Sequence, residues 1–364
     1  MRIKIVYIDD VESELLKYKG KFEADKRTKD RFTITVLNTP KSQGEYESIN
    51  KANPDLLLVD YDLATPDNKG QVIGFSGVTL ATELRQKFPE IPIVLFTRKS
   101  VFKIENYFNM RETLSSIDQI IYKQDSFKED LPILNELFNL ATGFKILRDN
   151  TSKEWPDLIK LIGAPSDDID LLSQCNPPVI PRRDWSASAV ATWIRNVILK
   201  YPGLVYDPVH SATFLGISED AFISDSVQSA FKLAKYSGIF PPSTGRWWKS
   251  TLRSVANSFM KKTEKNLPLR EGFPAAWKRT QNSSLERSTC IFSGTSPAEW
   301  VCYILNKPVM IEYSLHYNPD TRPIVMDEAR ISFEAIKTSN SFDEKLFDPV
   351  GQKLIPEIKK MPKP

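Results

Sequence analysis

The stretch DLLLVDYDL, residues Asp55 to Leu63, decides how the first part of the chain is read. Leu56 to Val59 form a short, continuous apolar run, the pattern of a strand buried on both faces of a parallel sheet. Asp60 and Asp62 stand at its far end. Burying an unpaired carboxylate costs several kcal/mol, so these acids either lie outside the core or hold something.

Working outward, the same kind of run recurs. IKIVYI (Ile3 to Ile8), FTITVL (Phe32 to Leu37), IPIVLFT (Ile91 to Thr97) and QIIYK (Gln119 to Lys123) are of strand length and rich in β-branched residues. Helix-like segments separate them: VESELLKYKGKF, SQGEYESINKA, GVTLATELRQKF and VFKIENYFNMRETL, with LPILNELFNLA closing the series. The alternation predicts an α/β domain, a doubly wound parallel sheet covered by helices on both faces. In such a sheet ligands bind at the carboxyl ends of the strands. The polar residues just past each strand are therefore the candidate site: Asp9 and Asp10 after the first, Asp60 after the third, Thr97 after the fourth and Lys123 after the fifth.

With these residues in this order, residues 1–144 resemble the response-regulator receiver family. That resemblance implies a five-stranded sheet of order 2-1-3-4-5 and a phospho-accepting role for Asp60. It implies Mg²⁺ held by Asp9, Asp10, Asp60 and the backbone carbonyl of Asp62, with Lys123 paired to Asp60 or the phosphoryl oxygens and the Thr97 hydroxyl turning to bond them. The donor would be a histidine kinase or another phosphodonor. A hard divalent cation suits the cluster because oxygen ligands relieve the mutual repulsion of three carboxylates. Taken singly, Asp9, Asp10 or Thr97 would serve as a helix cap and Lys123 as a solvated strand end. Three features depart from the family pattern: Gln124 follows Lys123 where Pro is usual, Ile120 stands at the aromatic switch position, and the loop ATPDNKGQVIGFSG after Asp60 is long.

Length and charge frame the rest. A chain of 364 residues with 41% hydrophobic content favours two domains and a substantial core. No run of eighteen apolar residues is present, and MRIKIVYIDD turns acidic before a signal-peptide core develops, so the cytoplasm is the expected compartment and no membrane partner is expected. Cys175, Cys290 and Cys302 are far apart and lack a CxxC pair, which argues against a disulfide framework or a structural zinc site.

The rhythm ends near Phe144. Residues 145–182 read as a helical and proline-rich linker, with helices broken at Gly163 to Pro165, and residues 183–364 as a mainly helical α+β output domain. PVMIEYSLHY and EARISFEAIK alternate as strands do. Between Lys232 and Arg279 basic residues far outnumber acids, with Trp247, Trp248 and Trp277 interleaved. Such a local field suits duplex DNA, with Arg246, Lys249, Arg253, Lys261 and Lys262 as candidate contacts; a solvated helix face over a Trp core is the plainer alternative. HSATFLGISEDAF and LAKYSGIFPPSTGRWWKSTL each resemble a helix-turn-helix.

No Walker loop, GxSxG elbow or HExxH helix occurs. His210 and His316 lack a second ligand at metal spacing. Pro319, Asp320, Glu334 and Lys337 faintly resemble a metal-dependent nuclease set, but on a strand Glu334 and Lys337 would face opposite ways. The expectation is a two-component signalling protein whose receiver controls a nucleic-acid-binding output. The alternative is a non-enzymatic adaptor with a degenerate receiver, recruiting protein partners in a larger assembly such as a restriction or phage-defence system. A homodimer is compatible with either.

Overall fold

A computed structural model of the chain describes residues 2–39, 46–63, 76–98, 116–129, 131–150, 154–175, 177, 186–319 and 325–362. The chain forms two compact units, Met1–Asp157 with Pro178–Trp193, and Leu158–Pro177 with Ile194–Pro364. The first contains β1 (Ile3–Asp9), α1 (Glu12–Ala24), β2 (Phe32–Asn38), α2 (Tyr46–Ala52) and β3 (Leu56–Asp60). It continues through α3 (Gly77–Lys87), β4 (Ile93–Thr97), β5 (Gln119–Tyr122) and α4 (Ile133–Asp149). The five strands pair in the order β2-β1-β3-β4-β5, all parallel, as expected from the family resemblance. The expected helix at 101–114 and residues 64–75 of the long loop lie outside the described residues.

The pleat assigns each strand residue to a face. Val6, Ile8, Leu57, Val59, Ile93 and Leu95 share one core with Ile49 of α2 and Leu80 and Leu84 of α3. The alternate residues carry Tyr7 and Phe96, whose rings meet Tyr18 of α1 edge-on. In α1 the buried Leu15, Tyr18 and Phe22 recur at helical spacing, and Glu12 and Glu14 suit its first turn. Each large apolar side chain withdrawn in this way contributes about 1.5–3 kcal/mol.

Asp55, at the opening of β3, is also buried, and it is matched at once. Its carboxylate accepts from Lys4 N at 3.1 Å and pairs with Arg148 of α4 at 2.7 Å and Lys145 at 3.2 Å. Lys145 and Arg148 lie beyond the expected domain boundary at 144, which falls inside α4. Phe144 and Leu147 continue the buried face of that helix, and it ends at Asn150. Within residues 145–182, helices Trp155–Ile162 and Ile169–Ser173 stand on either side of Gly163 to Pro165, and they bury Leu158, Ile162 and Leu172.

The second unit has two apolar cores. One gathers Leu215, Phe222, Phe231, Trp247, Leu252, Phe273 and Trp277, and the other Cys302, Ile331, Ile336, Phe347 and Ile355. Strands Ser314–Tyr317 and Ala329–Ser332 pair antiparallel, but EARISFEAIK is strand only in its first half. Ser332 caps a helix, Phe333–Thr338, by accepting from Ala335 N at 3.1 Å. Glu334 and Lys337 therefore lie three residues apart on a helix, on neighbouring rather than opposite faces. HSATFLGISEDAF does form helix, turn and helix, with Gly216 at φ 75° closing Pro208–Leu215, but the following helix, Glu219–Ile223, is only five residues long. The second candidate is not a helix-turn-helix. Residues after the 3₁₀ turn Lys232–Ala234 follow an irregular path of bends and turns, with Tyr236 N donating to Arg246 O at 2.7 Å, and Pro241 and Pro242 supply no N–H for a helix.

Helix Pro208–Leu215 begins at Asp207, whose Oδ1 accepts from His210 N at 2.8 Å and meets His210 Nδ1 at 2.9 Å. Burial alone would raise the Asp207 pKa, but its bonds to His210 outweigh burial and hold it down at about 2, against 3.8 ordinarily. Because the folded value is depressed, the stabilisation is complete above the unfolded value and is lost as pH falls from about 4 to about 2, with a size of about 2 kcal/mol. Urea melts across that window should show Asp207→Ala both less stable near neutrality and flatter in acid. Parallel profiles for the two proteins would refute this.

Candidate functional site

The carboxyl ends of β1, β3 and β5 meet at one point. Parallel register places Asp9, Asp60, Phe96 and Ile121 on one face, and Lys123 follows two residues after Ile121. Lys123 Nζ lies 2.9 Å from Asp9 Oδ2 and 2.5 Å from Asp60 Oδ1, and all three side chains are almost fully buried. The second oxygens are also engaged: Asp9 Oδ1 accepts from Val11 N at 2.9 Å, and Asp60 Oδ2 from Asp62 N at 3.0 Å. The Tyr7 hydroxyl donates to Asp9 Oδ2. Asp10 completes the cluster, so that Asp9, Asp10 and Asp60 each offer a carboxylate oxygen within 4.8 Å of the others.

Burial sets the electrostatics. It raises the Asp60 pKa to about 6, with the neighbouring Asp9 charge adding to the rise and Lys123 only partly offsetting it. Burial alone would lower the Lys123 pKa, yet the value is raised because Asp60 and Asp9 both favour the ammonium. The two directions are consistent: one cation is shared between two carboxylates, so it gains from both while neither receives all of its field. Burial, followed by Asp9, pushes the Tyr7 phenol up, which keeps it a neutral donor. Beneath the ammonium lie the rings of Tyr7, Tyr18 and Phe96, with centroids at 5.7, 5.6 and 5.8 Å.

Thr97 is buried at the end of β4, and its hydroxyl donates a long 3.4 Å bond to the Arg98 carbonyl. In the strand register Thr97 stands opposite Tyr122, while Ile120 packs toward the α2–α3 side of the sheet. An aromatic ring is therefore adjacent to Thr97, although not at the position expected from sequence. Gln124 continues the chain into a turn, with Asp125 N donating to Tyr122 O at 3.0 Å. Arg98, which the sequence reading passed over, pairs with Glu14 of α1 at 3.3 Å. Tyr7 was overlooked too, although its place two residues before Asp9 puts it on the same face.

Gly77 explains how α3 comes so close to the site. A Cβ there would lie 1.8 Å from the carbonyl oxygen of Asp60 and 2.8 Å from Tyr61 Cα. Gly77 N donates to Tyr61 O at 2.9 Å, docking the start of α3 on the end of β3.

The five basic residues considered for DNA have different environments. Arg246 is turned inward, donating to the Gly245 carbonyl at 2.9 Å and the Leu199 carbonyl at 3.3 Å. Lys249 is bound to both oxygens of Asp327 at 2.7 and 2.9 Å. Arg253 lies over the Phe214 ring at 5.6 Å, while Lys261 and Lys262 are exposed at the start of a four-residue helix. Trp247, Trp248 and Trp277 are core residues rather than surface stacking platforms.

The N-terminal part of the chain is similar to solved receiver domains. The signal receiver domain of a two-component response regulator from Bacteroides fragilis shares 16% identity, covering 34% of this chain and 86% of that one, with a TM-score of 0.25. The response regulator TrrA from Thermotoga maritima, in complex with Mg(2+)-BeF, shares 20% identity over 36% of this chain and 91% of that one, with a TM-score of 0.24. The BeF3-activated receiver domain of RstA from Klebsiella pneumoniae shares 25% identity over 37% of this chain and 94% of that one, with a TM-score of 0.25. No family model matches the chain, and no curated protein matches it. The receiver-type fold of the first unit is carried by its own strand order and parallel pairing.

Proposed function

We propose that the first unit is a phosphoacceptor receiver, with Asp60 taking a phosphoryl group from a histidine kinase or a small-molecule donor, and that the protein serves a response-regulator-like signalling role. The observation that carries this is Lys123 held between Asp9 and Asp60 with Asp10 alongside. Asp9, Asp10 and Asp60 each present a carboxylate oxygen within 4.8 Å of the others, a donor set suited to a hard divalent cation such as Mg²⁺, for which the Asp62 carbonyl would be a further ligand. Bound there, it would offset the negative charge of the carboxylates and of an approaching phosphoryl group.

The chain's own residues do the rest. An Asp60 carboxylate oxygen forms the new bond to phosphorus as the donor's bond to phosphorus breaks and its leaving group departs. Lys123 stays to pair with the oxygens of the product, and the Thr97 hydroxyl turns from the Arg98 carbonyl to accept this role beside it. Because Thr97 ends β4 and Arg98, the next residue, is tied to α1 through Glu14, a new dianion at Asp60 would redistribute contacts on that surface.

Intact-mass measurement after treatment with acetyl phosphate and Mg²⁺ should show one phosphoryl addition, lost in Asp60→Ala and prevented by EDTA. No addition with acetyl phosphate, phosphoramidate or a panel of histidine kinases would refute the assignment and favour a docking adaptor. Arg246 donates to the Gly245 carbonyl and Lys249 to Asp327, so a DNA-binding output would have to share these donors or draw on other cations. Among the described residues no helix is long and apolar enough to cross a membrane.

A further inference from the structure

The second unit contains a cavity of about 520 Å³, a size typical of small-molecule sites. Helix Pro208–Leu215 lines it with His210, Thr213 and Phe214, whose spacing of three and four residues puts them on one face. Helix Lys249–Phe259 adds Lys249 and Arg253, one turn apart, both over the Phe214 ring at 5.9 and 5.6 Å. Tyr201, Trp300 and Tyr303 supply further flat apolar walls.

The charges lining the cavity are not equally available. Each acid already has a partner in the protein: Asp207 has His210 and Asn306, Glu299 has Arg270 at 2.5 Å, Asp327 has Lys249, and Glu328 has Arg330 at 2.5 Å. Two cations do not. Among the described residues, Lys200 and Arg253 are exposed, contact aromatic rings and have no carboxylate partner. The charge left for a ligand is therefore positive.

We propose that this cavity binds a nucleoside phosphate, its base against the aromatic walls and its phosphate toward Arg253 and Lys200. Aromatic walls alone would suit any apolar ring, and the two cations alone any anion. A nucleotide combines a flat ring, hydroxyl and amino donors for the carboxylate oxygens nearby, and a detached negative group. The source is a free nucleotide or the phosphorylated end of a strand. This site lies wholly within the second unit and stands independently of the receiver assignment.

Calorimetric titration of the full chain in EDTA, which removes divalent metal from the acidic cluster of the first unit, tests the proposal. The titrants are the four nucleoside 5′-monophosphates, their nucleosides, inorganic phosphate, and a short single strand with or without a 5′-phosphate. At least one monophosphate should bind saturably, about tenfold or more tighter than its nucleoside or inorganic phosphate. Arg253→Ala, at an exposed position, should weaken it by about tenfold, with unchanged circular dichroism. Competition by the 5′-phosphorylated strand alone would assign a strand end, and its failure to compete a free nucleotide. Absence of saturable nucleotide binding, equal affinity for inorganic phosphate, or affinity unmoved by Arg253→Ala would overturn the proposal.

Discussion

Gly77→Ala should lose about 3 kcal/mol or more of stability and most of the phosphoryl acceptance at Asp60. The added methyl would lie 1.8 Å from the Asp60 carbonyl oxygen and 2.8 Å from Tyr61 Cα. All three of the nearest atoms are backbone, so no side chain can rotate aside. Either α3 separates from the sheet or the end of β3 bends, and overpacking of this kind costs about 1–3 kcal/mol even where neighbours can yield. The displaced oxygen belongs to the proposed nucleophile's own residue, so the Asp60 carboxylate should leave its 2.5 Å contact with Lys123. Displacements near 1 Å cost roughly a hundredfold in reactions that depend on alignment. Urea denaturation read with acetyl-phosphate labelling checks both. A loss under about 1 kcal/mol with unchanged labelling would show that the contact is easily accommodated.

Asp60→Asn should do the opposite to stability while abolishing labelling. The Asp60 pKa is raised from 3.8 to about 6, burial being the largest cause. A raised carboxyl makes the folded state relatively less stable as pH climbs from about 4 to about 6, and the cost is fully present at neutrality. The shift corresponds to an upper figure of about 3 kcal/mol. Asn keeps the shape without the charge, and Lys123 retains Asp9 at 2.9 Å. In metal-free buffer near neutrality the variant should gain about 1–3 kcal/mol, with the gain shrinking toward pH 4. A variant that is less stable than wild type at both pH values would show that the Lys123–Asp60 pair outweighs the burial cost.

The strand runs and their terminal acids were legible because a buried parallel strand has a one-dimensional signature, and its polar end is where the apolar run stops. DLLLVDYDL showed both. What it did not show was the partner set of Asp55. Lys145 and Arg148 come from a helix some ninety residues later, and nothing local marks them as its counterions. The helical start of Phe333–Thr338 was missed because RISF alternates like a strand until Ser332 acts as a cap. Charge along the chain said little about the surroundings of individual cations. The Lys232 to Arg279 excess is real in sequence, but Arg246 and Lys249 find acceptors inside the fold and Arg279 pairs with Glu264 at 2.8 Å. Counting charges along a chain does not reveal which remain available in space.

The three rings around Lys123 also govern how the pocket responds to its medium. An ammonium packed against Tyr7, Tyr18 and Phe96 leaves little room for mobile ions to gather around it. Debye screening, which weakens surface pairs as ionic strength rises, has small purchase on the Lys123 contacts. The charge balance at Asp60 is thereby buffered against osmotic and ionic fluctuation, leaving it responsive mainly to groups that enter the pocket itself.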